Sequence, residues 1–339
     1  MTKADCPNVL VINPLKYTLA HYESELIETI NRSAYNTVET AETVPGDGIA
    51  GPYERIAVAA RAIWERIRMG RTIRGKTVIV IWPMFGYFEP ATLIGLSRHN
   101  NVYIVIHDPS PLRRTYGQSV AARKLFKKTT ERWNIKVIYH TVKAQRVGTR
   151  DNGVSGIVIP HPIRSERPLM GVPRENVASR PKVRVLGQYK RTRSLEALTT
   201  IADRTGDTYQ LEIYGRGWPD VPGWKVANEF VPEQEFVRLV ESSDCVVIPY
   251  DLFFQSNVAV RCLEAGVPVV APVHEHITQL YGEDWPGTVR DPSDWYDALS
   301  RALAVDLSML RSHRLGVTQQ IRSAWDEGLA TGGSTTTFG

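Results

Sequence analysis

Apolar and polar positions alternate along the first half of the chain in a pattern that predicts strands and helices in turn. Short runs rich in valine and isoleucine are separated by longer segments in which apolar residues recur with helical spacing. That alternation is typical of a parallel sheet whose strands are joined by helices. We predict strands at 9–13, 78–82, 102–107, 136–140 and 156–159, a weaker strand at 37–40, and helices at 22–30, 53–69 and 118–133.

A second series of the same kind follows a break in the pattern. Pro160, Pro162 and the polar stretch 164–182 interrupt the alternation, as a linker between domains does. Beyond the break we predict strands at 183–186, 209–214, 245–249 and 269–271, and helices at 195–204, 233–242, 257–265, 295–304 and 310–327.

The two series predict an α/β protein of two doubly wound, Rossmann-like domains that face a cleft. A length of 339 residues agrees with two domains, since one domain commonly contains roughly 100–200 residues. We predict an N-terminal domain at 1–165, a linker at 166–182, a C-terminal domain at 183–306, a C-terminal helix at 307–327 that is a candidate to pack back on the N-terminal domain, and a flexible tail at 328–339.

Composition and the absence of targeting signals narrow the class of protein. The chain is 42% hydrophobic and 23% charged, which favours an ordinary globular protein over a disordered or fibrous one. Its longest apolar stretch, 78–88, is interrupted by Pro83 and Gly86 and falls short of the roughly 20 apolar residues that span a bilayer. No secretory signal precedes the first predicted strand. We therefore expect a cytoplasmic protein, with its three cysteines structural because none has metal or redox spacing.

The net charge of +5 is concentrated in two basic stretches of the first half. Each has three interpretations: a solvated helix face, which is the commoner case, a peripheral contact with an acidic membrane surface, or a surface that attracts phosphorylated substrates. Nucleic acid is disfavoured as a partner, because aromatic residues are not interleaved with these charges. The stretches consist of Arg61, Arg66, Arg68, Arg71, Arg74 and Lys76, and of Arg113, Arg114, Arg123, Lys124, Lys127, Lys128 and Arg132.

Ligands bind beyond the carboxyl ends of strands in open parallel sheets, so the loops that leave the predicted strands are the places to look for chemistry. The loop 187–194 follows the first strand of the second domain and enters a helix. Its cations Lys190, Arg191 and Arg193, beside free backbone N–H groups at a helix start, suit a diphosphate, and Gly187 and Gly215 would let a ligand approach the backbone. The alternatives are a solvated basic turn and a plain glycine turn.

The helix predicted at 257–265 carries Arg261 and Glu264 on one face, because a spacing of three residues places them one turn apart. A carboxylate at this position can accept hydrogen bonds from both hydroxyls of a ribose, and the arginine can meet a phosphate. A simple surface ion pair is the alternative.

In the first domain, His107 and Asp108 end an apolar strand. A histidine there can bind a sugar hydroxyl or act as a base with Asp108 orienting it, and an aspartate that caps the turn before Pro109 is the alternative. We expect no protein-built metal site, since no His/Cys/Asp cluster has ligand spacing.

Several segments resemble the GT-B-fold glycosyltransferases, and among them glycosyltransferase family 4. The segment 107–111 (HDPSP) is similar to the family's strand ending in His-Asp, and 158–162 (VIPHP) to the segment that closes its first domain. The segments 244–249 (DCVVIP) and 263–270 (LEAGVPVV) resemble its most recognisable block. The resemblance is strong over 183–291 and faint before His107.

The resemblance implies transfer of a sugar from a nucleoside-diphosphate sugar, held mainly by the second domain, to an unidentified hydroxyl acceptor on a polysaccharide, lipid or protein. It also implies transfer without a metal or other cofactor and with retention of configuration. Arg193 takes the place of the family's phosphate-binding lysine, Gln188 replaces its usual arginine, and His107 takes the place of its donor-contacting histidine. The acceptor-side residues implied in the first domain are Asn13, Lys16 and His21.

The family's pair of glutamates is where this sequence departs from the pattern. When positions are counted back from Gly266 without a gap, Phe253 and Arg261 fall at the two glutamate positions. An alignment with a gap keeps Glu264 as the second acid and places Ser256 at the first. Ser256 and Asn257 with Arg261 and Glu264 also resemble a divergent branch of the family. Two other functions stay open. A sugar-nucleotide epimerase shares the two-domain architecture, and the missing acids leave room for a nucleotide-binding or scaffold protein with a decayed donor site.

Overall fold

The computed structural model describes residues 8–14, 19–31, 38–42, 52–110, 117, 119–164 and 180–330. The chain divides into two units, one of Met1–Arg164 with Gln319–Gly339 and the other of Ser165–Thr318. We refer to them as unit 1 and unit 2. Lys16, Arg113 and Arg114, most of the predicted linker and the tail from residue 331 lie outside the described residues.

Unit 1 contains a six-stranded sheet in the order β2-β1-β3-β4-β5-β6, with every neighbouring pair parallel. The order reverses between β1 and β3, so this is the switch point of the sheet. Four of the strands are almost continuous apolar runs, as expected where both faces are buried. The strands are β1 (Val9–Asn13), β2 (Val38–Glu42), β3 (Thr77–Val80), β4 (Asn101–Val105), β5 (Lys136–Tyr139) and β6 (Ile157–Val158).

Helices connect the strands of unit 1. One of them shows no apolar period and is recognised by its capping residues instead. The helix Val142–Asn152 is largely polar; Thr141 accepts a hydrogen bond from Ala144 N at its start, and Gly153 ends it in the left-handed conformation at φ 77°. The helices are α1 (Ala20–Asn31), α2 (Pro52–Thr72), α3 (Glu89–Thr92), α4 (Ile94–Ser97), α5 (Val120–Arg132) and α6 (Val142–Asn152).

A buried ion pair joins α2 to α3. The guanidinium of Arg66 contacts the carboxylate of Glu89, and both side chains are fully buried. Arg66 also donates to Thr92 Oγ1 over 2.6 Å, while Glu89 accepts from Phe85 N over 2.9 Å. Burial of two charges requires such partners on both of them, so loss of either residue would leave the other charge buried and uncompensated.

Unit 2 contains a second six-stranded parallel sheet, in the order β12-β11-β10-β7-β8-β9. Read from β9, this is the 3-2-1-4-5-6 order of a Rossmann fold, with its switch point between β7 and β10. Its strands are β7 (Lys182–Leu186), β8 (Gln210–Tyr214), β9 (Lys225–Ala227), β10 (Cys245–Val247), β11 (Val269–Pro272) and β12 (Thr288–Val289).

The helices of unit 2 cover a core that includes Trp218, Trp224 and Trp295. The last helix starts in unit 2 and its residues from Gln319 onward belong to unit 1, where Trp325 donates from Nε1 to the carbonyl of Pro160 over 3.0 Å. The helices are α7 (Leu195–Thr205), α8 (Glu233–Glu241), α9 (Asn257–Ala265), α10 (Glu275–Tyr281), α11 (Trp295–Leu303) and α12 (Leu307–Ala330).

The predicted class, an α/β protein with two Rossmann-like domains, is confirmed by the two parallel sheets. The sequence pattern missed α6 and α10, the short helices α3 and α4, and the edge strands β9 and β12. These elements are short or polar, so they carry too little apolar period to be recognised. Among the described residues, no helix combines the length and apolar character needed to cross a membrane.

Candidate functional site

The switch point of unit 2 brings together two loops that are far apart in the sequence. β7 and β10 are neighbouring parallel strands, so the loops that follow them leave the same edge of the sheet. Arg193 and Tyr250 form an isolated antiparallel bridge there, and Ser194 N donates to Pro249 O over 2.7 Å. In open α/β sheets, ligands bind at this place.

Arg193 is the central charge of this edge. Its guanidinium donates to the carbonyl of Leu186 over 3.1 and 3.0 Å and to the phenol oxygen of Tyr250 over 3.0 Å. The guanidinium carbon lies 4.9 Å from the ring centre of Tyr250 and 5.2 Å from that of Trp218. Within the part of the chain that the structure describes, no carboxylate pairs with this cation, although Arg193 is only 6% exposed.

A buried cation without a counter-ion is unfavourable, and an anionic ligand relieves the cost. Burial lowers the pKa of Arg193, and Tyr250 opposes this. An arginine nevertheless stays charged at neutral pH.

Two glycines make room for the arginine and for the backbone beneath it. Gly187 has φ +98°, and a Cβ there would lie 2.9 Å from Nη2 of Arg193. Gly215, at the end of the neighbouring strand β8, has φ +150°, and its Cβ would lie 2.3 Å from the carbonyl oxygen of Gly187. Trp218 Nε1 donates to that same oxygen over 2.8 Å. The turns after β7 and β8 are therefore packed backbone to backbone, which no other residue type permits.

Two further cations of the same loop face solvent. Lys190 and Arg191 are exposed and precede Ser194, which caps α7 by accepting from Ala197 N over 3.2 Å. The helix start and these charges lie on one loop, an arrangement that favours an anion. The predicted phosphate-binding residues thus share this loop, with Arg193 inside it and Lys190 and Arg191 at its surface.

The residues predicted on α9 lie in different surroundings. Ser256 is buried and caps the helix, since its Oγ accepts from Ala259 N over 3.3 Å, and Asn257 is exposed at the helix start. Arg261 pairs with Glu233 at the start of α8 and lies 4.8 Å from the ring centre of Phe236. The structure therefore directs the Arg261 guanidinium towards α8.

Glu264 is completely buried near the end of α9, and Arg314 Nη1 donates to its backbone carbonyl. Phe253, which the ungapped count places at one of the family's two glutamate positions, is also buried. Its ring stacks on that of His274 with the ring centres 3.8 Å apart.

In unit 1, His107 lies beyond the carboxyl end of β4 and is 6% exposed. Its Nε2 is 2.9 Å from the carbonyl oxygen of Ile81, so Nε2 carries the proton and donates it. Trp82 stacks on the imidazole with ring centres 5.7 Å apart, and Tyr22 meets it edge-on at 4.6 Å. In the neutral tautomer this leaves Nδ1 as the accepting nitrogen.

Three neighbouring strands each end near a histidine, and the three side chains surround Tyr22. His140 follows β5 and His161 follows β6; their ring centres lie 5.6 and 5.0 Å from that of Tyr22. Burial, and next the charge of Glu25, raise the pKa of Tyr22 well above its usual range, so its hydroxyl stays protonated. That hydroxyl lies 3.1 Å from His140 Nε2, and His140 Nδ1 lies 2.8 Å from Ile159 O.

The other residues predicted for unit 1 lie close to this cluster or at its surface. Asn13 ends β1, is fully buried and donates to Glu23 over 2.7 Å. His21 Nε2 lies 2.8 Å from Glu25 Oε1 on the same helix. Asp108 is exposed, while the His107 hydrogen bond described above goes to a backbone carbonyl. Lys16 lies outside the described residues.

The chain is similar in fold to several solved structures. An α,α-trehalose-phosphate synthase (UDP-forming) from Burkholderia vietnamiensis matches with a TM-score of 0.57 and 12% identity, over 96% of this chain and 99% of that chain. A sucrose-phosphate synthase from Thermosynechococcus elongatus matches with a TM-score of 0.60 and 15% identity, over 96% of each chain. The chain has the GT-B fold. No protein-family model matches the sequence, and neither does any curated protein.

The sequence resemblance to GT-B glycosyltransferases is thereby confirmed at the level of the fold. Sequence reasoning placed Trp218 and Tyr250 in loops that leave predicted strands but gave neither a role beside Arg193, and it missed Tyr22, which joins the histidines. One available signal was position: Tyr250 follows a buried strand, as Arg193 does. That signal identifies a partner only once the order of the strands is known.

Proposed function

We propose that this GT-B protein is a glycosyltransferase, which moves a sugar from a nucleoside-diphosphate sugar to a hydroxyl group of an acceptor. The observation that carries the proposal is Arg193, a buried cation at the switch point of unit 2 that pairs with no carboxylate in the described ranges. A donor diphosphate supplies the missing negative charge. The exposed Lys190 and Arg191 on the same loop add to the attraction.

In this proposal the cations act on the leaving group. Glycosyl transfer passes through an oxocarbenium-like state while negative charge grows on the departing diphosphate. Arg193 is held in place by Leu186 O and Tyr250, so it stabilises that charge without reorganising. We further propose that Glu264 binds the ribose hydroxyls, and that His107 contacts the transferred sugar.

In this mechanism arginine and lysine side chains, and not a metal ion, neutralise the charge of the diphosphate. We therefore expect turnover to persist in excess chelator. We also propose retention of configuration at the transferred sugar, on the resemblance to family 4. A uridine diphosphate donor is the first to test, because one of the similar structures is a UDP-forming synthase.

The decisive experiment is a screen of nucleoside-diphosphate sugars for slow hydrolysis of the donor, with calorimetric titration of the matching nucleoside diphosphates. We expect one donor to be hydrolysed, its diphosphate to bind, and hydrolysis to continue in chelator. Conversion of the donor to an isomer with no release of sugar would identify an epimerase instead. No heat with any nucleoside diphosphate would leave a scaffold with a decayed site.

A further inference from the structure

The helix α2 turns an apolar stripe towards solvent. Its most exposed large apolar side chains are Tyr53 at 86%, Ile56 at 67% and Trp64 at 58%. Ile63 and Ile67 continue the stripe, and all five lie on one side of the helix, since spacings of three, four and seven residues return to the same face. A monomer normally keeps such a stripe against its core, so an outward one indicates a surface that another structure covers.

The opposite side of α2 holds it to unit 1. Ala62, Arg66 and Met69 are its buried residues among those whose side chains are described, and they also recur at spacings of four and three. Near the end of the helix, a Cβ on Gly70 would lie 2.9 Å from the carbonyl carbon of Gly95, so α2 and α4 cross backbone to backbone. The other face of α2 is therefore packed against unit 1, and the apolar stripe lies on its outer face.

A cavity of about 570 Å³ opens beside the stripe. Ile63 and Ile67 line it together with the arginines Arg71, Arg74 and Arg98. All three arginines are exposed, and none forms an ion pair with a carboxylate that the structure describes. Arg74 caps the end of α2 by donating to Gly70 O over 2.9 Å, and Arg98 lies 5.3 Å from the ring centre of Trp133, so both are held at the cavity.

The excess of positive charge on α2 indicates what kind of surface covers the stripe. Between residues 52 and 74 the chain carries six arginines and two glutamates. Arg66 is buried against Glu89 and Arg68 pairs with Glu65, so the other four arginines, all exposed, outnumber the one other glutamate. Apolar side chains with a tryptophan, flanked by unpaired arginines, match the interface of an anionic bilayer, where rings and alkyl chains enter the acyl boundary and guanidiniums meet phosphates.

We propose that α2 and this cavity form a docking surface for membranes rich in acidic phospholipids. The helix lies in the interface with Tyr53, Ile56 and Trp64 inserted, and Arg71, Arg74 and Arg98 bind headgroup phosphates. An uncharged or cationic partner surface would leave the arginines unneutralised.

Within unit 1, this surface lies away from the candidate site residues. Arg74 and Arg98 precede β3 and β4, at the amino edge of the parallel sheet, whereas Trp82 and His107 follow the same strands at the carboxyl edge. The inference therefore stands or fails independently of the proposed function.

Co-sedimentation of the full chain with vesicles tests the docking surface. We expect binding to vesicles of phosphatidylcholine with phosphatidylglycerol, weaker binding as salt rises, and little binding to phosphatidylcholine alone. Trp64→Glu should lower partitioning by about tenfold or more. Arg71→Gln should lower it about fivefold, the contribution of one cation near an anionic surface. Met309→Glu and Arg146→Gln, which change an exposed methionine of α12 and an exposed arginine of α6, are the matched controls.

A second readout does not depend on a disruptive substitution. Vesicles should shift the tryptophan emission of the native chain to shorter wavelength, and Trp64→Phe should bind nearly as well but lose most of that shift. Equal binding to both kinds of vesicle, no binding, or equal losses in the controls would overturn the proposal. A different result would also overturn it. If the protein did not bind vesicles and formed a dimer that Ile56→Glu dissociates, the stripe would be an interface between copies of the chain.

Discussion

The phenol oxygen of Tyr250 lies 3.0 Å from Nη2 of Arg193, and this contact joins the loops that follow β7 and β10. The two residues are 57 positions apart in the chain. Tyr250 adds a hydrogen bond and a ring face to the arginine but no negative charge, so the guanidinium is fixed and still lacks a counter-ion in the described part of unit 2.

The first prediction follows from that geometry. Arg193→Ala should weaken binding of a nucleoside diphosphate far more than binding of the bare nucleoside, because only the diphosphate uses the charge. We expect a loss of about 1.5–3 kcal/mol for the diphosphate, the usual contribution of hydrogen bonds to charged groups. Calorimetric titration of both ligands checks it. Arg238→Ala, at an exposed arginine of α8, is the control, and equal losses for both ligands would contradict the prediction.

The second prediction concerns Glu264. If its carboxylate binds the ribose hydroxyls, Glu264→Gln should reduce donor affinity by about 1–3 kcal/mol. The same substitution should cost much less with a 2′-deoxyribose analogue, since one of the two hydroxyls is then absent. Titration of the two nucleotides into both proteins measures the difference, with Glu229→Gln at an exposed site as the control. Unchanged affinity would remove Glu264 from the donor site.

The third prediction concerns His107. His107→Ala should lower kcat by roughly 10²-fold or more and leave affinity for the nucleoside diphosphate nearly intact, as for a group that acts in the transition state. Steady-state kinetics with product-inhibition constants checks this, and His99→Ala serves as the control. His107→Gln can still donate to the carbonyl of Ile81, so recovery of kcat in that variant would assign the role to the backbone hydrogen bond rather than to the sugar.

The fourth prediction tests the buried pair Arg66 and Glu89. Glu89→Gln should lower the free energy of unfolding by about 3–5 kcal/mol, because it leaves Arg66 buried without a counter-charge. The double variant Arg66→Met with Glu89→Leu should recover most of the loss, since an apolar pair needs no partner. Urea denaturation measures both. Glu65→Gln, in the exposed pair with Arg68, should cost under about 1 kcal/mol.

The fifth prediction is a pH dependence caused by His276. Burial, and next the charge of His274, lower the pKa of His276 to about 3, from an ordinary value of 6.5. Between these values the unfolded chain binds a proton that the folded chain does not, so stability is complete above the ordinary pKa and falls as the pH drops towards the lowered one. The contribution is up to about 1.4 kcal/mol per pH unit.

His276→Gln should therefore flatten the change in Tm between about pH 7 and about pH 5. Thermal unfolding of both proteins at the two pH values measures this. His313→Gln, at a partly buried histidine of α12, controls for the loss of an imidazole. Parallel pH profiles for the native chain and His276→Gln would show that the histidine is not responsible.

The sequence alone determined the class of fold and which loops follow the ends of strands. Strands such as β1 and β4 are runs of apolar residues because both faces of a parallel sheet are buried, and that requirement is local enough to be visible in the pattern. The same reasoning placed Gly187, Arg193 and His107 after strand ends. It missed α6, because that helix has a polar interior and is defined by its caps, Thr141 and Gly153. It missed β9 and β12, because strands of two or three residues are too short to show an apolar pattern.

Only the tertiary structure decided which of these residues meet. Tyr250 contacts Arg193 because β10 lies beside β7, and Tyr22 contacts His107, His140 and His161 because β4, β5 and β6 lie side by side. Strand order follows from how whole helices and sheets pack, which depends on residues far apart in the chain. The period of apolar residues reports burial at each position and carries no information about which neighbour buries it.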